Sequence, residues 1–377
     1  MREILMRPQI YKFPNFKDFT ADFPITDRDL ILTNEYIYEP FIKGYEGDAK
    51  VIFQEKFGTS EPSEEMANAI WDAADPSTYD RIIAVGGGAI MDLGKVLSLK
   101  RNGTIHEIYF KKVDAEVEKD LIAIPTTAGT GSEVTNIAVL IVKDDKGQTT
   151  KLGLVSDLII PNTVCLIPEF LKTLPYKPFA SAAIDALIHA VESYLSPDRA
   201  TMTSELFGVK AIELILEGFR RIDTEGEDAR FGYLDEFQTA SMYAGIAFLQ
   251  AGCATVHAMS FPLGGVFHVP HGESNYALFG KVLEKYNKID PDGKIADFKK
   301  LIALILGGTE DEALDRLAAI EEKILHLKPI SEYGFTKENV KPFAESVLLN
   351  QQRLVTNSYV PLTKDLIEEI YTELVVE

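Results

Sequence analysis

An α/β domain built on a parallel sheet, followed by an all-helical domain, is the fold class that this sequence of 377 residues predicts. Three observations carry the prediction. The first half alternates short β-branched runs with helical stretches, the order that a parallel sheet with crossover helices requires. Two of its apolar runs end in loops rich in glycine or threonine, where sheets of this kind gather ligands. Beyond about Pro175 strand signals vanish and amphipathic helical stretches take over. The predicted domains are therefore 1–174 and 175–377, and a single core seldom serves a chain longer than about 250–300 residues.

Taken in order, 29–33 (DLILT) and 50–54 (KVIFQ) read as strands, with helical spacing over 36–45 between them. A helix over 63–74 follows, capped by Ser63. Residues 81–88, RIIAVGGG, are a buried strand running into Gly86, Gly87 and Gly88, and AIMDLGKVLSLK continues as a helix. Such glycines let backbone N–H groups approach a phosphate, and the new helix turns its positive end toward the same anion. The motif is not G-x-G-x-x-G, and a plain glycine-rich turn has the same composition. Residues 121–133, LIAIPTTAGTGSE, repeat the device with Thr126, Thr127, Thr130 and Ser132. Two such loops at the ends of neighbouring strands point to a dinucleotide. The runs 136–143, 151–155 and 163–167 read as further strands, a β-rich edge closing the first domain.

In the second half, helices are expected over 178–195, 202–221, 229–250, 252–260, 273–287, 293–306, 310–326, 336–350 and 363–375. Residues 251–277 hold three of the six histidines in an apolar, glycine-rich setting. His257 lies on a helical run that Pro262, Gly264 and Gly265 are expected to interrupt, and His271 follows Pro270 where a new helix starts. Asp185 and His189, spaced i, i+4, share one helix face. One carboxylate and three neutral imidazoles suit Fe²⁺ or Zn²⁺. A lone histidine in an apolar helix is commonly a hydrogen-bonded core residue, but a carboxylate among Ala, Ile and Leu is expensive to bury without a partner. The nucleotide loops and the ligands fall in different domains, so chemistry is expected in a cleft between them.

A net charge of −20 argues against nucleic acid or an anionic membrane as partner. Two cysteines, Cys165 and Cys253, each inside an apolar run, fit buried thiols in a reducing cytoplasm. The N-terminus lacks an apolar leader and cleavage site. The apolar run 244–267 is long enough to span a bilayer, but Gln250, His257 and the proline and glycines mark it as buried core.

GGGAIMDLGK (86–95), PTTAGTGSEVTN (125–136), DALIH (185–189) and the block 248–271 together resemble the iron-containing (group III) alcohol dehydrogenases, across nearly the whole chain. The resemblance implies that family's fold, similar to dehydroquinate synthase, and a metal held by Asp185, His189, His257 and His271, whose spacings of four and fourteen match. It implies NAD contacts from Asn34, Gly86, Gly87, Gly88, Asp92, Thr126, Thr127, Thr130, Ser132 and Lys151, and a substrate pocket with Asn136, Phe248 and Phe261. Two positions depart from the pattern. Asn34 stands where many relatives carry an aspartate on the adenosine ribose, which leaves NADP open beside NAD. Phe261 stands where many carry a histidine, and any proton relay through that histidine is lost. The expected reaction is hydride transfer between NAD(H) and a small ω-hydroxy acid or its aldehyde, with another small primary alcohol or diol, such as butanol, glycerol or propanediol, as the alternative substrate. His268 is the candidate for the missing relay or for a hydrogen bond to the substrate, with a purely structural role as its alternative, and Arg353 is the candidate for the carboxylate anchor, with a surface or interdomain ion pair as its alternative; the assembly is expected to be a homodimer or larger homo-oligomer. Readings of another class, a lyase with catalytic NAD or a metal-binding protein without activity, would give no net nicotinamide oxidation or reduction.

Overall fold

The computed structural model describes residues 5, 7–58, 61–143, 147 and 149–376; the sequence reading of a leaderless N-terminus falls partly on residues 1–4 and 6, outside these. The chain divides into two compact units, one of Met6–Leu174 and one of Pro175–Glu377 together with Leu5.

The first unit holds a six-stranded parallel sheet from strands β1 (Gln9–Lys12), β2 (Asp29–Thr33), β3 (Lys50–Phe53), β4 (Arg81–Gly86), β5 (Asp120–Pro125) and β8 (Thr163–Leu166), in the order β1-β8-β5-β4-β2-β3. The central strands DLILT, RIIAVG and DLIAIP are almost continuously buried, as strands covered on both faces must be. Helix α1 (Phe16–Asp22) covers one face, where Phe16 and Phe19 join Ile31, Ile83, Ile122 and Phe170 in a single cluster. A short helix α2 (Glu35–Ile37), continued as one π-helical turn over Tyr38–Ile42, replaces the helix expected over 36–45. Helix α3 (Glu64–Ala74) starts at Ser63, whose side chain accepts from the Met66 amide as the sequence indicates. Helix α4 (Gly88–Leu97) follows β4, and α5 (Ile105–Tyr109), absent from the sequence reading, is closed by a reciprocal Thr104–Glu107 cap. Gly94 lets α4 lie against the sheet, since a Cβ there would stand 2.9 Å from that of Ala84.

The expected β-rich edge needs correction. Strands β6 (Ile137–Lys143) and β7 (Thr149–Val155) form a separate antiparallel pair, while β8 lies inside the sheet between β1 and β5. The exposure of β6 alternates along its length, which marks a ladder buried on one side and distinguishes it from the sheet strands. The true edges are β3 and β1. The latter went unseen because QIYK has all four residues exposed and is placed by its parallel pairing with β8.

The second unit is helical: α6 (Tyr176–Leu195), α7 (Met202–Glu225), α8 (Leu234–Ala251), α9 (Thr255–Phe267), α10 (His271–Ile289), α11 (Lys294–Leu306), α12 (Ala313–Ile324), α13 (Lys337–Asn350), α14 (Gln352–Val355) and α15 (Lys364–Val376). The interruption expected at Pro262, Gly264 and Gly265 does not occur, and α9 runs through all three. An interior proline loses its own N–H bond and crowds the carbonyl four residues back, and the burial of α9 on both sides of Pro262, from Thr255 to Ser260 and at Leu263 and Gly264, keeps the helix continuous. The apolar run 244–267 is two helices bent by 107° about residues 252–254, and among the described residues no single helix is long and apolar enough to cross a membrane.

Candidate metal centre and cofactor loops

Helix α6 spends its central turns wholly inside the unit, and its Ala- and Ile-rich faces leave Asp185 and His189 one turn apart at its middle. His257 sits in the first turn of α9, and His271 is the first residue of α10 after Pro270, where the sequence placed a helix start. These four residues offer one ligand atom each, and the four atoms lie within 4.8 Å of one another. Asp185 Oδ1 stands 3.8 Å from both His257 Nε2 and His271 Nε2, and Asp185 Oδ2 stands 3.8 Å from His189 Nδ1. Asp185, His189 and His257 are buried, and His271 is partly open.

The residues fit a divalent cation. His189 Nδ1 is buried without a hydrogen-bond partner among the described residues, which is costly for an imidazole nitrogen unless an ion engages it. One carboxylate and three imidazoles are the mixed N/O donors that Fe²⁺ and Zn²⁺ accept. Burial alone would raise the Asp185 carboxyl; the rings of His189, His271 and His257 and the Asn275 amide outweigh it and hold the group below its ordinary value.

Around the four lies a shell that sequence reasoning missed. Glu192 Oε2 lies 2.6 Å from His257 Nδ1 and also accepts the Ala254 amide at 3.0 Å, while Oε1 takes the Val256 amide at 2.6 Å. Asn275 Nδ2 is 2.7 Å from Asp185 Oδ1, 3.1 Å from His257 Nε2 and 3.3 Å from His271 Nε2. Both were within reach of helical periodicity: Glu192 is three residues after His189, and Asn275 four after His271. Cys253 is buried beside the same rings; burial would raise its thiol, but His257 and His189 bring it down to about 7. Phe248 stacks on His189 at 5.0 Å, and Phe261 tilts over His271 at 6.5 Å. His268 is exposed at the end of α9 in the left-handed conformation (φ 55°), outside the four-residue cluster.

In the α/β unit, the chain runs from β2 outward to β3, then returns beside β2 as β4 and proceeds the other way to β5. Ligands favour the strand ends at such a reversal. The β4–β5 register pairs Gly86 with Pro125, so the glycine loop and the threonine loop leave the sheet side by side. A Cβ on Gly88 would come 2.9 Å from Thr130 Cγ2, and one on Gly87 3.4 Å from Thr127 Cγ2. Gly87 caps α4 without any side-chain bond, which leaves first-turn N–H groups to a ligand. Thr126 donates its amide to Gly86 O at 3.0 Å.

Asp92 and Ser132 turn inward. Ser132 Oγ donates to Asp92 Oδ1 at 2.6 Å and the Val139 amide to Asp92 Oδ2 at 2.9 Å. Fully buried Lys95 donates to Ser132 Oγ (2.7 Å), Thr135 Oγ1 (3.1 Å) and Ile137 O (2.7 Å), and burial brings its amine down to about 8. Asn34, buried at the end of β2, gives Nδ2 to Gln54 Oε1 (3.1 Å) and Glu55 Oε2 (2.9 Å). Lys151 pairs with Glu61, and Asn136 Nδ2 donates to Asp157 Oδ1 at 2.9 Å.

Comparison with known proteins agrees in both halves. Residues 14–168 match the family model described as iron-containing alcohol dehydrogenase, and residues 179–375 match the C-terminal model of the Fe-containing alcohol dehydrogenase family. The chain is 44% identical over 374 residues to 4-hydroxybutyrate dehydrogenase of Clostridium kluyveri, covering 99% of this chain and 100% of that protein. It is 33% identical over 324 residues to long-chain-alcohol dehydrogenase 1 of Geobacillus thermodenitrificans, covering 82% and 78%. Among solved structures, sulfoacetaldehyde reductase from Bifidobacterium kashiwanohense in complex with NAD⁺ superposes with a TM-score of 0.84 at 21% identity, over 100% of this chain and 99% of that one.

Proposed function

The chain belongs to the iron-containing alcohol dehydrogenase family, and from that premise we propose that it moves hydride reversibly between NAD(H) and the couple of 4-hydroxybutyrate and succinate semialdehyde. The observation that carries the chemistry is the convergence of Asp185, His189, His257 and His271 around an unpartnered imidazole nitrogen. The full-length likeness to a 4-hydroxybutyrate dehydrogenase supports the substrate.

In this reading the four residues hold Fe²⁺, with Zn²⁺ an accepted substitute, and the bound ion supplies Lewis acidity toward an alcohol or carbonyl oxygen. NAD supplies the hydride acceptor. Oxidation removes one hydride from the carbinol carbon and one proton from its hydroxyl, giving the aldehyde and NADH. Gly86, Gly87 and Gly88, with the open first turn of α4, receive the pyrophosphate, and Thr126, Thr127 and Thr130 line the neighbouring loop. Asp92 and Ser132 serve that site by holding the two loops to Lys95, and Asn34 and Lys151 face the ribose groups. Phe248 and Phe261 form apolar walls beside His189 and His271 and exclude water. His268 takes the alcohol proton in place of the histidine that Phe261 replaces. Arg353 binds the far carboxylate. A cytoplasmic homodimer or larger assembly completes the reading.

The test is a nicotinamide absorbance assay of succinate semialdehyde with NADH and with NADPH, on protein reconstituted separately with Fe²⁺ and Zn²⁺. Turnover is expected with NADH and Fe²⁺. Turnover of butanal without turnover of succinate semialdehyde would assign the chain to a simple primary alcohol instead.

A further inference from the structure

Resting on the hydroxy-acid reading above, we propose that Arg199 and Arg353 act as a pair, a two-guanidinium clamp that binds the carboxylate of the substrate and selects ω-hydroxy acids over neutral alcohols.

The pairing of the arginines is the first observation. Arg28, Arg81, Arg101, Arg220, Arg221 and Arg316 each hold an aspartate or glutamate, and Arg230 donates to a backbone carbonyl. Arg7, Arg199 and Arg353 have no side-chain hydrogen bond or ion pair among the described residues, and of these Arg199 and Arg353 belong to the helical unit. In a chain with 58 acidic and 38 basic side chains, an arginine left without an acid is the exception, and here the charge of Arg199 acts on Arg353.

Position is the second. Arg199 follows the end of α6, and its Nη1 lies against Gly252, where an added Cβ would meet it at 3.5 Å and Asn357 Nδ2 at 3.1 Å. Arg353 is on α14, which packs on α9. Asn357, whose amide donates to Leu354 O at 3.0 Å, fastens that segment to the same turn. Its Nδ2 reaches Ala251 O (2.8 Å) and Cys253 O (3.1 Å), and its Oδ1 accepts from Ser196 Oγ (2.8 Å). Ser193 Oγ adds a bond to Gly252 O at 3.3 Å. One frame therefore carries both arginines and, through Cys253 beside His189 and His257, the metal ligands.

Electrostatics agrees. Arg353 is exposed at its surface, yet surrounding protein pulls its pKa below the ordinary arginine value; the charge of Arg199 adds to that pull, and Cys253 opposes it. Two guanidinium groups close enough for their charges to act on one another, with no counter-ion between them, repel, and a carboxylate, which matches their planar donors, relieves the repulsion. The clamp takes a short-chain monocarboxylate whose other end carries the alcohol or aldehyde.

Full-length protein loaded with Fe²⁺ tests the clamp by calorimetric titration with butyrate, alongside kcat/KM for 4-hydroxybutyrate and butan-1-ol. Arg199→Gln and Arg353→Gln should each weaken butyrate binding, and lower the ratio of kcat/KM for 4-hydroxybutyrate over butan-1-ol, by roughly 10- to 100-fold, mainly through KM. The double variant should lose little beyond either single one, because the two act on one group. Arg199→Lys, which keeps the charge and loses the fork, should fall between, and it serves if the glutamine variant does not fold. Arg220→Gln should leave the ratio unchanged. A wild-type protein that does not bind butyrate, or an Arg199 variant with unaltered selectivity, overturns the clamp. Arginine-dependent butyrate binding without turnover of 4-hydroxybutyrate would uphold the clamp and remove the substrate reading alone.

Discussion

Glu192 Oε2 approaches His257 Nδ1 to 2.6 Å and spends both carboxylate oxygens on the start of α9, accepting from the Ala254 and Val256 amides as well. The same carboxylate thus orients the imidazole and caps the helix that carries it, and leaves Nε2 turned toward Asp185. A carboxylate behind a metal-ligating histidine fixes its tautomer and raises its basicity.

Glu192→Gln should therefore raise the dissociation constant of the metal by about 10- to 100-fold. Competition with a chromophoric chelator measures this without reference to turnover. Unaltered affinity would reduce Glu192 to a helix cap.

Asn275 is the donor whose amide faces three of the converging acceptor atoms. When no cation is bound, its loss leaves those lone pairs opposed to one another at a cost of about 1–3 kcal/mol. Asn275→Ala should thus lower the Tm of metal-free protein more than that of loaded protein, widening the gap between the two in calorimetry. Equal shifts in both forms would show that the amide serves packing alone.

Lys95 is buried with three oxygen partners and Asp92 3.9 Å away. Lys95→Met should destabilise the α/β unit by about 3 kcal/mol by leaving Asp92 buried with less compensation. The pH dependence has a defined sign. Burial brings the amine to about 8 in the folded protein against the ordinary 10.5, so the unfolded chain binds more protons between those values. The Lys95 contribution to stability consequently rises with pH across that window, and the variant should lack the rise. Urea unfolding below and within the window, for both proteins, measures it.

Asn34 cannot repel a 2′-phosphate by charge, but Glu55 supplies a carboxylate at the same corner, accepting from Asn34 Nδ2 at 2.9 Å and from the Glu35 amide at 2.5 Å. NADH should be preferred over NADPH on this account. Glu55→Gln should lower the ratio of their kcat/KM values by about tenfold, the equivalent of roughly 1.4 kcal/mol. An unchanged ratio would place the ribose elsewhere.

Much of this was legible in the amino-acid order, for physical reasons that differ by element. The strands DLILT, RIIAVG and DLIAIP are buried on both faces, so their apolar runs carry the signal without help from neighbours. Strand β1 has no such run, and its place depends on a partner more than 150 positions away. The i, i+4 pair Asp185 and His189 announces a shared face, whereas the meeting of that face with His257 and His271 is a property of helix packing that no local pattern encodes. Pro262 misled because its usual effect on a helix was outweighed by the packing of α9 on both sides of it. Glu192 and Asn275 sat at helical spacing from the ligands and were passed over because a glutamate or asparagine on a helix is ordinarily solvated. Arg199 gave no signal at all, being a loop residue whose meaning lies in the absence of an acidic partner.

The Asn357 carboxamide that closes the Ala251–Cys253 turn comes from more than a hundred positions downstream. Contacts of such sequence separation form late, after their loop-closure entropy has been met by other interactions. A growing polypeptide on the ribosome thus cannot finish the surroundings of His257 until nearly its whole length has emerged, and a protein cut short before that asparagine should fold its nucleotide half while leaving the other half's ion site loosely made.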